Sequence, residues 1–183
     1  MKTLMGTAVA LICVSCSVYA AKQKATEVGG VPMLSKSSIA ENAATSPVLT
    51  TFAANVKSTG LEDKLNDKGP YTVFAPTDDA FKKLPAGTVD GLRKPENSAD
   101  LTKVLTYLVV PGKITSAKLK KMVHKGHGTA TLTSMAGEAI TVKAAGDVIT
   151  LMDAKGDSAV ILTADVPQKN GMIHIVDAVL LPN

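Results

Sequence analysis

The chain has 183 residues, a formal net charge of +4 and only 3% aromatic residues, with no tryptophan. Its mild basicity favours acidic partners without requiring them, and the shortage of aromatic side chains argues against a base-stacking nucleic-acid module. Both cysteines, Cys13 and Cys16, fall in the first twenty residues, so the remainder has no disulfide and no cysteine metal site.

The first twenty residues predict a secretory signal peptide. Lys2 lies at its start, an apolar stretch covers residues 4–16, and Ala20 stands at the position that signal peptidase reads. We expect cleavage after Ala20 and a secreted protein, either periplasmic or extracellular. Lipidation at Cys16 is the alternative, although residues 13–15 match a lipobox poorly. No later apolar stretch has the length of a transmembrane helix.

The remaining residues predict one domain preceded by a short extension. Residues 21–35 are polar, contain two adjacent glycines, and predict an N-terminal extension. Residues 36–183 have the length of a single domain. A weak helix is expected over 37–44, and Ser46 followed by Pro47 predicts the capped start of a second helix.

The segment from residue 71 to residue 85 combines a strand with a capped helix. Residues 71–75 are rich in strand formers, and we expect this strand to be central to the sheet. Thr77 can cap the helix that follows, and Asp78 and Asp79 fall in its first turn, where the helix dipole favours negative charge. Phe81 belongs to the apolar stripe of that helix.

A lysine-rich segment follows a predicted helix over residues 101–108. Its lysines are Lys113, Lys118, Lys120, Lys121 and Lys125, and no acidic residue lies between them in sequence. A solvated helix face explains such a pattern. The functional hypothesis is a basic patch that contacts acidic polysaccharide, lipid headgroups or an acidic protein surface.

The second half of the chain alternates with period two, which is typical of antiparallel strands. Runs at 129–133, 140–143, 148–151 and 159–162 are separated by glycine-containing turns. Residues 172–181 are almost wholly apolar and predict a buried strand. The order of elements indicates an α+β fold, with a small sheet sandwich and helices packed to one side.

Three stretches carry a resemblance to fasciclin-like domains. Residues 71–92 resemble the first signature of that family, residues 169–183 resemble the second, and residues 105–115 resemble the segment between them. The resemblance covers roughly residues 36–182. It implies a wedge-shaped β-sandwich with several helices packed against it, and a non-enzymatic, secreted module of cell adhesion that binds matrix proteins, polysaccharides or other surfaces.

The middle segment departs from the family pattern. Relatives carry a tyrosine–histidine pair there that is implicated in adhesion, whereas this chain has Tyr107 followed by Leu108. Leucine neither donates nor accepts a hydrogen bond, so any contact of that histidine is absent. Tyr107 stays a candidate binding residue, and a buried structural tyrosine is the alternative. The matched signature residues, which we expect to be mainly structural, are Thr77, Asp78, Asp79, Phe81, His174 and Asp177.

Catalytic and metal-binding signatures are not found in the sequence. It has no G-x-S-x-G, H-E-x-x-H, P-loop or G-x-G-x-x-G pattern, and we expect neither an enzyme nor a cofactor. His124 and His127 have metal-like spacing, but the nearest acid is Glu138, so a solvated loop pair is expected and no metal site. His174 lies between two isoleucines and is interpreted as a satisfied strand histidine.

These observations predict an exported, monomeric binding or adhesion module. Its expected partner is a protein or polysaccharide surface, with an acidic one favoured. The alternative is a carrier of a small apolar ligand such as a pigment or lipid, which a methionine-lined surface would suit. The methionines after residue 20 are Met33, Met122, Met135, Met152 and Met172.

Overall fold

The computed structural model describes residues 26–66, 69–84, 91 and 97–182. The predicted signal peptide, its cleavage site and Cys16 lie outside these residues. Within the described ranges, no helix is both long and apolar enough to span a bilayer.

Nine strands and six helices are formed by the described residues. The helices are α1 (Ile39–Thr45), α2 (Thr50–Ser58), α3 (Leu61–Asn66), α4 (Asp78–Lys82), α5 (Ser98–Tyr107) and α6 (Ser116–Lys125). The strands are β1 (Thr26–Val28), β2 (Val31–Met33), β3 (Tyr71–Pro76), β4 (Val109–Pro111), β5 (Thr129–Thr133), β6 (Ala139–Ala145), β7 (Val148–Met152), β8 (Ser158–Gln168) and β9 (Gly171–Val176). The expected α+β class is confirmed.

Seven strands form one sheet in the order β4-β3-β9-β8-β7-β6-β5. All neighbours are antiparallel except β3 and β9, which run parallel with Tyr71 opposite Gly171. The two signature segments therefore lie side by side. The prediction that β3 is central was wrong: it lies one strand in from the edge, and β8 occupies the middle.

The sheet curls until its two end strands approach each other. The amide of Met135, which follows β5, donates to the carbonyl of Val109 in β4 over 2.7 Å. Alternate residues of β5 and β6 face the core, whereas β9 is buried along its whole length. That difference explains why period-two alternation predicted the outer strands and a continuous apolar run predicted the last one.

Residues 21–35 were predicted to be a polar extension, but from residue 26 onward the structure forms regular secondary structure. There β1 and β2 form a hairpin in which Val28 pairs with Val31. Val28 is 4% exposed and Met33 1% exposed, and both belong to the main hydrophobic cluster. Only one residue in each short strand is buried, so the strands are too short for alternation to stand out in the sequence.

The start of α2 also differs from the prediction. The helix begins at Thr50, and Ser46 lies instead at the C-terminal end of α1. The N-cap residue Leu49 supplies no side-chain hydrogen bond. The carboxylate of Asp78 accepts from the Thr51 amide at 2.7 Å, so the cap is supplied by a residue far along the chain.

Close backbone contact explains a glycine of the second signature. A Cβ atom on Gly171 would lie 1.9 Å from the carbonyl oxygen of Tyr71. No other residue fits at that spacing, because a larger group would push β9 away from β3. The glycine thus permits the parallel pairing that joins the two signatures.

Candidate binding surface

Helix α6 is fixed at its start by a local cap and along its length by apolar contacts. The Thr115 side chain accepts from the Lys118 amide at 3.2 Å. Leu119 and Val123 are buried on the side of the helix that packs against β5 and β6. The opposite side of α6 is consequently presented to solvent.

Three of the predicted lysines occupy that solvent side. Lys118, Lys121 and Lys125 are exposed, and at about 100° per residue they lie within about 60° around the helix axis, opposite Leu119 and Val123. We call these three residues the lysine face. Among the described residues, none of the three ammonium groups has a carboxylate partner.

The other two predicted lysines are placed differently. Lys113 is exposed in the segment before α6. Lys120 projects from the flank of the helix, and its Nζ lies 2.6 Å from Oδ1 of Asp147 in the β6–β7 turn. The hydrogen bond and charge of Lys120 lower the pKa of that carboxyl. No acidic residue lies between these lysines in sequence, but the fold brings Asp147 to Lys120 from 27 residues away.

Tyr107 lies in the core and not beside the lysine face. It is 0% exposed, as is Leu108, and its hydroxyl donates to the carbonyl of Ala139 at 3.0 Å. Burial, followed by the charges of Asp153 and Glu138, raises the pKa of Tyr107 to about 12. The ring therefore has no surface in this structure with which to contact a partner, and its geometry is that of a structural tyrosine.

The first-signature residues cap two helices. The Thr77 hydroxyl accepts from the Ala80 amide at 3.2 Å and caps α4. Asp78 reaches back to α2, where it accepts from both the backbone and the hydroxyl of Thr50 in addition to Thr51. Asp79 is largely exposed and pairs with Lys82 at 2.7 Å. Phe81 is buried in the core.

Asp177 of the second signature fastens β8 to the end of β9. Its Oδ1 accepts from the Val160 amide at 2.7 Å, and its Oδ2 lies 3.3 Å from the ammonium of Lys83. The hydrogen bonds of this carboxylate thus hold secondary structure in place.

His174 is buried in β9 with both ring nitrogens occupied. Nδ1 accepts from the Asp165 amide at 3.2 Å, and Nε2 lies 2.9 Å from the carbonyl of Ile114. Since a carbonyl can only accept and an amide can only donate, the ring is the neutral tautomer with its proton on Nε2. Its ring stacks on Phe74 with centroids 5.6 Å apart.

Asp165 completes a cluster that sequence reasoning missed. Its carboxylate accepts from the Ser116 amide at 2.7 Å and from the Ser116 hydroxyl. Asp165 adopts φ +59°, a left-handed conformation, at an irregularity of β8. An acidic residue inside an apolar strand was the sequence signal that could have drawn attention to it. We call Ser116, Asp165 and His174 the Asp165 network.

The Asp165 network contains serine, aspartate and histidine but does not have the hydrogen-bond pattern of a catalytic triad. In a triad the histidine takes the serine proton and the carboxylate orients the histidine. Here Ser116 bonds to the carboxylate of Asp165, whereas His174 contacts Asp165 through the backbone amide and not through the carboxylate. The imidazole is also fully buried, so it cannot reach a substrate.

The two histidines expected to share a loop are placed differently, since His124 lies in the last turn of α6, before Lys125, and only His127 lies in the turn beyond the helix. His124 and His127 are both exposed, and His127 has φ +53° in the turn that ends α6. Across the parts of the chain that the structure describes, no three side chains of the metal-ligating types are grouped closely enough to hold an ion.

A groove of about 500 Å³ lies on another side of the molecule, between the N-terminal hairpin, α4 and the β8–β9 pair. Val28, Val48 and Ile175 contribute apolar lining, together with Leu162, which is 59% exposed. Its remaining lining includes the charged residues Glu27, Asp78, Asp79, Lys82, Lys83 and Asp177. The groove is therefore amphipathic.

Comparison of the sequence with protein families matches the Fasciclin domain over residues 47–182. Protein sll1483 of Synechocystis sp. is 40% identical over 179 residues, which cover 98% of this chain and 92% of that protein. Immunogenic protein MPB70 of Mycobacterium bovis is 34% identical, covering 91% of this chain and 80% of that protein. Cell surface glycolipoprotein MPB83 of the same species is 32% identical, with 91% and 70% covered.

The fold has a solved counterpart. A FAS1 domain pair from the insect cell adhesion molecule fasciclin I matches with a TM-score of 0.70 at 21% sequence identity, over 83% of this chain. The match covers 52% of that two-domain chain, so this protein spans about half its length. Neither sll1483 nor MPB70 nor MPB83 bears the name of an enzyme.

Proposed function

This chain belongs to the fasciclin domain family, and from that premise we propose that it is an exported, non-enzymatic module that attaches to an acidic polysaccharide. The attachment surface is the lysine face of α6, with Lys113 beside its start. The observation that carries the proposal is the alignment of Lys118, Lys121 and Lys125 on one exposed side of the helix, without carboxylate partners among the described residues.

The composition of the lysine face favours a polysaccharide over a protein partner. Stable protein interfaces have an apolar, well-packed centre, whereas the three residues of this face are all lysines. They extend over about 10 Å along the helix at 1.5 Å per residue. A polymer that repeats its negative charges can occupy such a row without an apolar contact.

The packing of α6 likewise disfavours a lipid surface. A helix that lies on a membrane inserts an apolar side between the headgroups. The apolar side of α6, with Leu119 and Val123, is already buried against β5 and β6. Only the charge of the lysines would act on a bilayer, and screening by salt weakens that attraction.

The relatives support attachment as the class of function. MPB83 is named a cell surface glycolipoprotein, and the solved fold neighbour is a cell adhesion molecule. Attachment of this chain to polysaccharide is the further step that we propose.

Retention on an immobilised sulfated polysaccharide tests the proposal. We expect the wild-type protein to be retained at low ionic strength, and the Lys118→Ala/Lys121→Ala/Lys125→Ala variant to elute at markedly lower salt because it loses three contacts with sulfate groups. Alanine is a strong helix former, so the variant should keep α6 folded. Far-ultraviolet circular dichroism checks that point.

A matched control separates the lysine face from net charge. The Lys36→Ala/Lys64→Ala/Lys169→Ala variant removes three other exposed lysines and lowers the charge equally. It should elute close to wild type. Equal loss of retention in both variants would show that retention depends on the net charge of the protein and not on the lysine face. Binding of the wild type to anionic vesicles or an acidic protein, but not to polysaccharide, would overturn the choice of partner.

The groove supports a second candidate, carriage of a small apolar ligand such as a pigment or lipid. Its volume of about 500 Å³ falls in the range of ligand pockets, and Leu162 leaves apolar surface exposed beside it. Solvent extraction of protein purified from its native source, followed by mass spectrometry, should then recover a stoichiometric ligand. Its absence from repeated preparations would contradict carriage and leave attachment untouched.

A further inference from the structure

The N-terminus of α6 is joined to the buried strand β9 by two consecutive hydrogen-bonded steps. The carboxylate of Asp165 accepts from the backbone and hydroxyl of Ser116. The amide of the same Asp165 donates to Nδ1 of His174 at 3.2 Å. Asp165, in its left-handed conformation, therefore contacts His174 through its backbone amide and holds α6 through its carboxylate.

That arrangement requires a neutral histidine. A proton added to Nδ1 would point at the Asp165 amide, so two donors would face each other where one hydrogen bond now exists. Nε2 cannot relieve the conflict, because its proton is already directed at the Ile114 carbonyl. The left-handed conformation of Asp165, uncommon for a residue other than glycine, then loses the contact that stabilises it.

We propose that the Asp165 network is a pH-sensitive switch that couples protonation of His174 to release of the first turn of α6. On protonation, the Asp165 amide leaves the imidazole and its carboxylate leaves Ser116, turning toward the new positive charge on the ring. The Thr115 cap remains, so the turn is loosened but the helix is retained.

The groups around His174 are consistent with this direction of change. β3 presents the uncharged ring of Phe74, the segment before α6 presents the Ile114 carbonyl, and β8 presents Asp165. Burial lowers the pKa of His174, while the Ile114 hydrogen bond and the Asp165 charge oppose that shift without cancelling it. The histidine is therefore neutral at neutral pH, and acid is required to operate the switch.

The functional meaning of the switch rests on the proposed function, because α6 carries the lysine face. Release of Ser116 from Asp165 lets the N-terminal end of α6, where Lys118 lies, move relative to β8 and the rest of the sheet. The protein would then hold an acidic polysaccharide differently in acidic and neutral surroundings. The switch itself can be tested with no polysaccharide present.

Amide hydrogen exchange across α6, measured with the intact protein between pH 7.5 and 5.0, tests the switch. After correction for intrinsic rates, protection of the Ser116 amide, which donates to Asp165, should fall by up to about tenfold for each pH unit below about 6.5. Amides of α5 should keep their protection over the same range. The NMR titration of the His174 ring should lie below that of an ordinary histidine, and the Ser116 amide should lose its protection completely only once the ring is protonated.

Two variants separate His174 from the other histidines. His174→Gln cannot titrate and should abolish the pH step. The His124→Gln/His127→Asn variant should retain it, and asparagine suits the left-handed conformation at residue 127. The same step in His174→Gln, or its loss in the double variant, would overturn the proposal.

A third variant keeps the test decisive if His174→Gln fails to fold. Asp165→Asn tolerates the left-handed conformation but removes the carboxylate charge. It should give lower protection of the Ser116 amide than the wild type at every pH, while His174 still titrates. Wild-type protection that stays constant while His174 titrates would refute the switch, even if the lysine face binds polysaccharide as proposed.

Discussion

Helices α2 and α6 are each capped at the N-terminus by an aspartate that is distant in sequence. The two caps differ in which groups hold the aspartate in place. Asp78 reaches α2 from the neighbouring α4, is half-buried, and depends on no other titratable group among its hydrogen-bond partners. Asp165 reaches α6 from β8 and is itself held by the buried His174. We therefore call the Asp78 cap independent, because no titratable group supports it, and the Asp165 cap conditional, because it depends on the protonation state of His174.

The difference places the two helices in separate pH windows. Burial acts to raise the pKa of Asp78, but its hydrogen bonds from Thr51 and Thr50 outweigh burial and lower it. Stability from that cap is complete above about pH 4 and is lost as the pH falls further. The pKa of His174 is also lowered, and because an unfolded histidine titrates near 6.5, its contribution is lost from about pH 6.5 downward. Acid should thus act on α6 before α2.

The largest expected effect comes from breaking the conditional cap. Asp165→Ala removes both hydrogen bonds to Ser116 and places a residue with no polar side chain in a left-handed conformation. We expect a loss of about 3 kcal/mol in the free energy of unfolding, the sum of a lost cap and the left-handed penalty. Urea denaturation at pH 7.5 measures it. Asp165→Asn should lose about half as much, and equal losses would show that the carboxylate, not the backbone, dominates.

A smaller effect is expected from breaking the independent cap. Asp78→Ala should lower the free energy of unfolding by about 1 kcal/mol, the usual cost of an N-terminal cap. The difference between wild type and variant should stay constant from pH 8 to pH 5 and shrink below pH 4, as the wild-type carboxyl is protonated. A difference that already shrinks near pH 6 would mean that this cap, too, is coupled to a histidine.

The smallest effect should come from a charge pair on α6 that is not part of its cap. Lys120→Ala removes the contact with Asp147, whose side chain is fully exposed. We expect no resolvable change in the free energy of unfolding, because water and salt screen an ion pair at the surface. Thermal melts at low salt provide the measurement. A loss comparable to that of Asp78→Ala would show that α6 is held from its flank as well as from its first turn.

Local patterns in the sequence predicted much of the fold. The strand at residue 71, the cap at Thr77 and the period-two strands of the second half are all visible within windows of a few residues. The hairpin at residues 26–33 was not predicted, because each of its strands buries only one residue. Ser46 and Pro47 resembled a helix start, but the cap of α2 comes from Asp78.

The candidate site was predictable only in part, for the same reason. Lysine spacing at Lys118, Lys121 and Lys125 can be seen in the sequence, because all three lie on one helix. The pairing of Lys120 with Asp147 and the contact of Ser116 with Asp165 span 27 and 49 residues. Such contacts depend on how the sheet curls, which no local pattern specifies.

The parallel pairing of β3 with β9 has a consequence for the order of folding. Tyr71 must wait for Gly171, a hundred positions later in the chain, before its strand gains a neighbour on that side. Contacts of such sequence separation slow folding. A chain still in synthesis, or truncated before residue 171, leaves one edge of a largely buried apolar strand open to other chains. The final strand therefore also protects the first signature from aggregation.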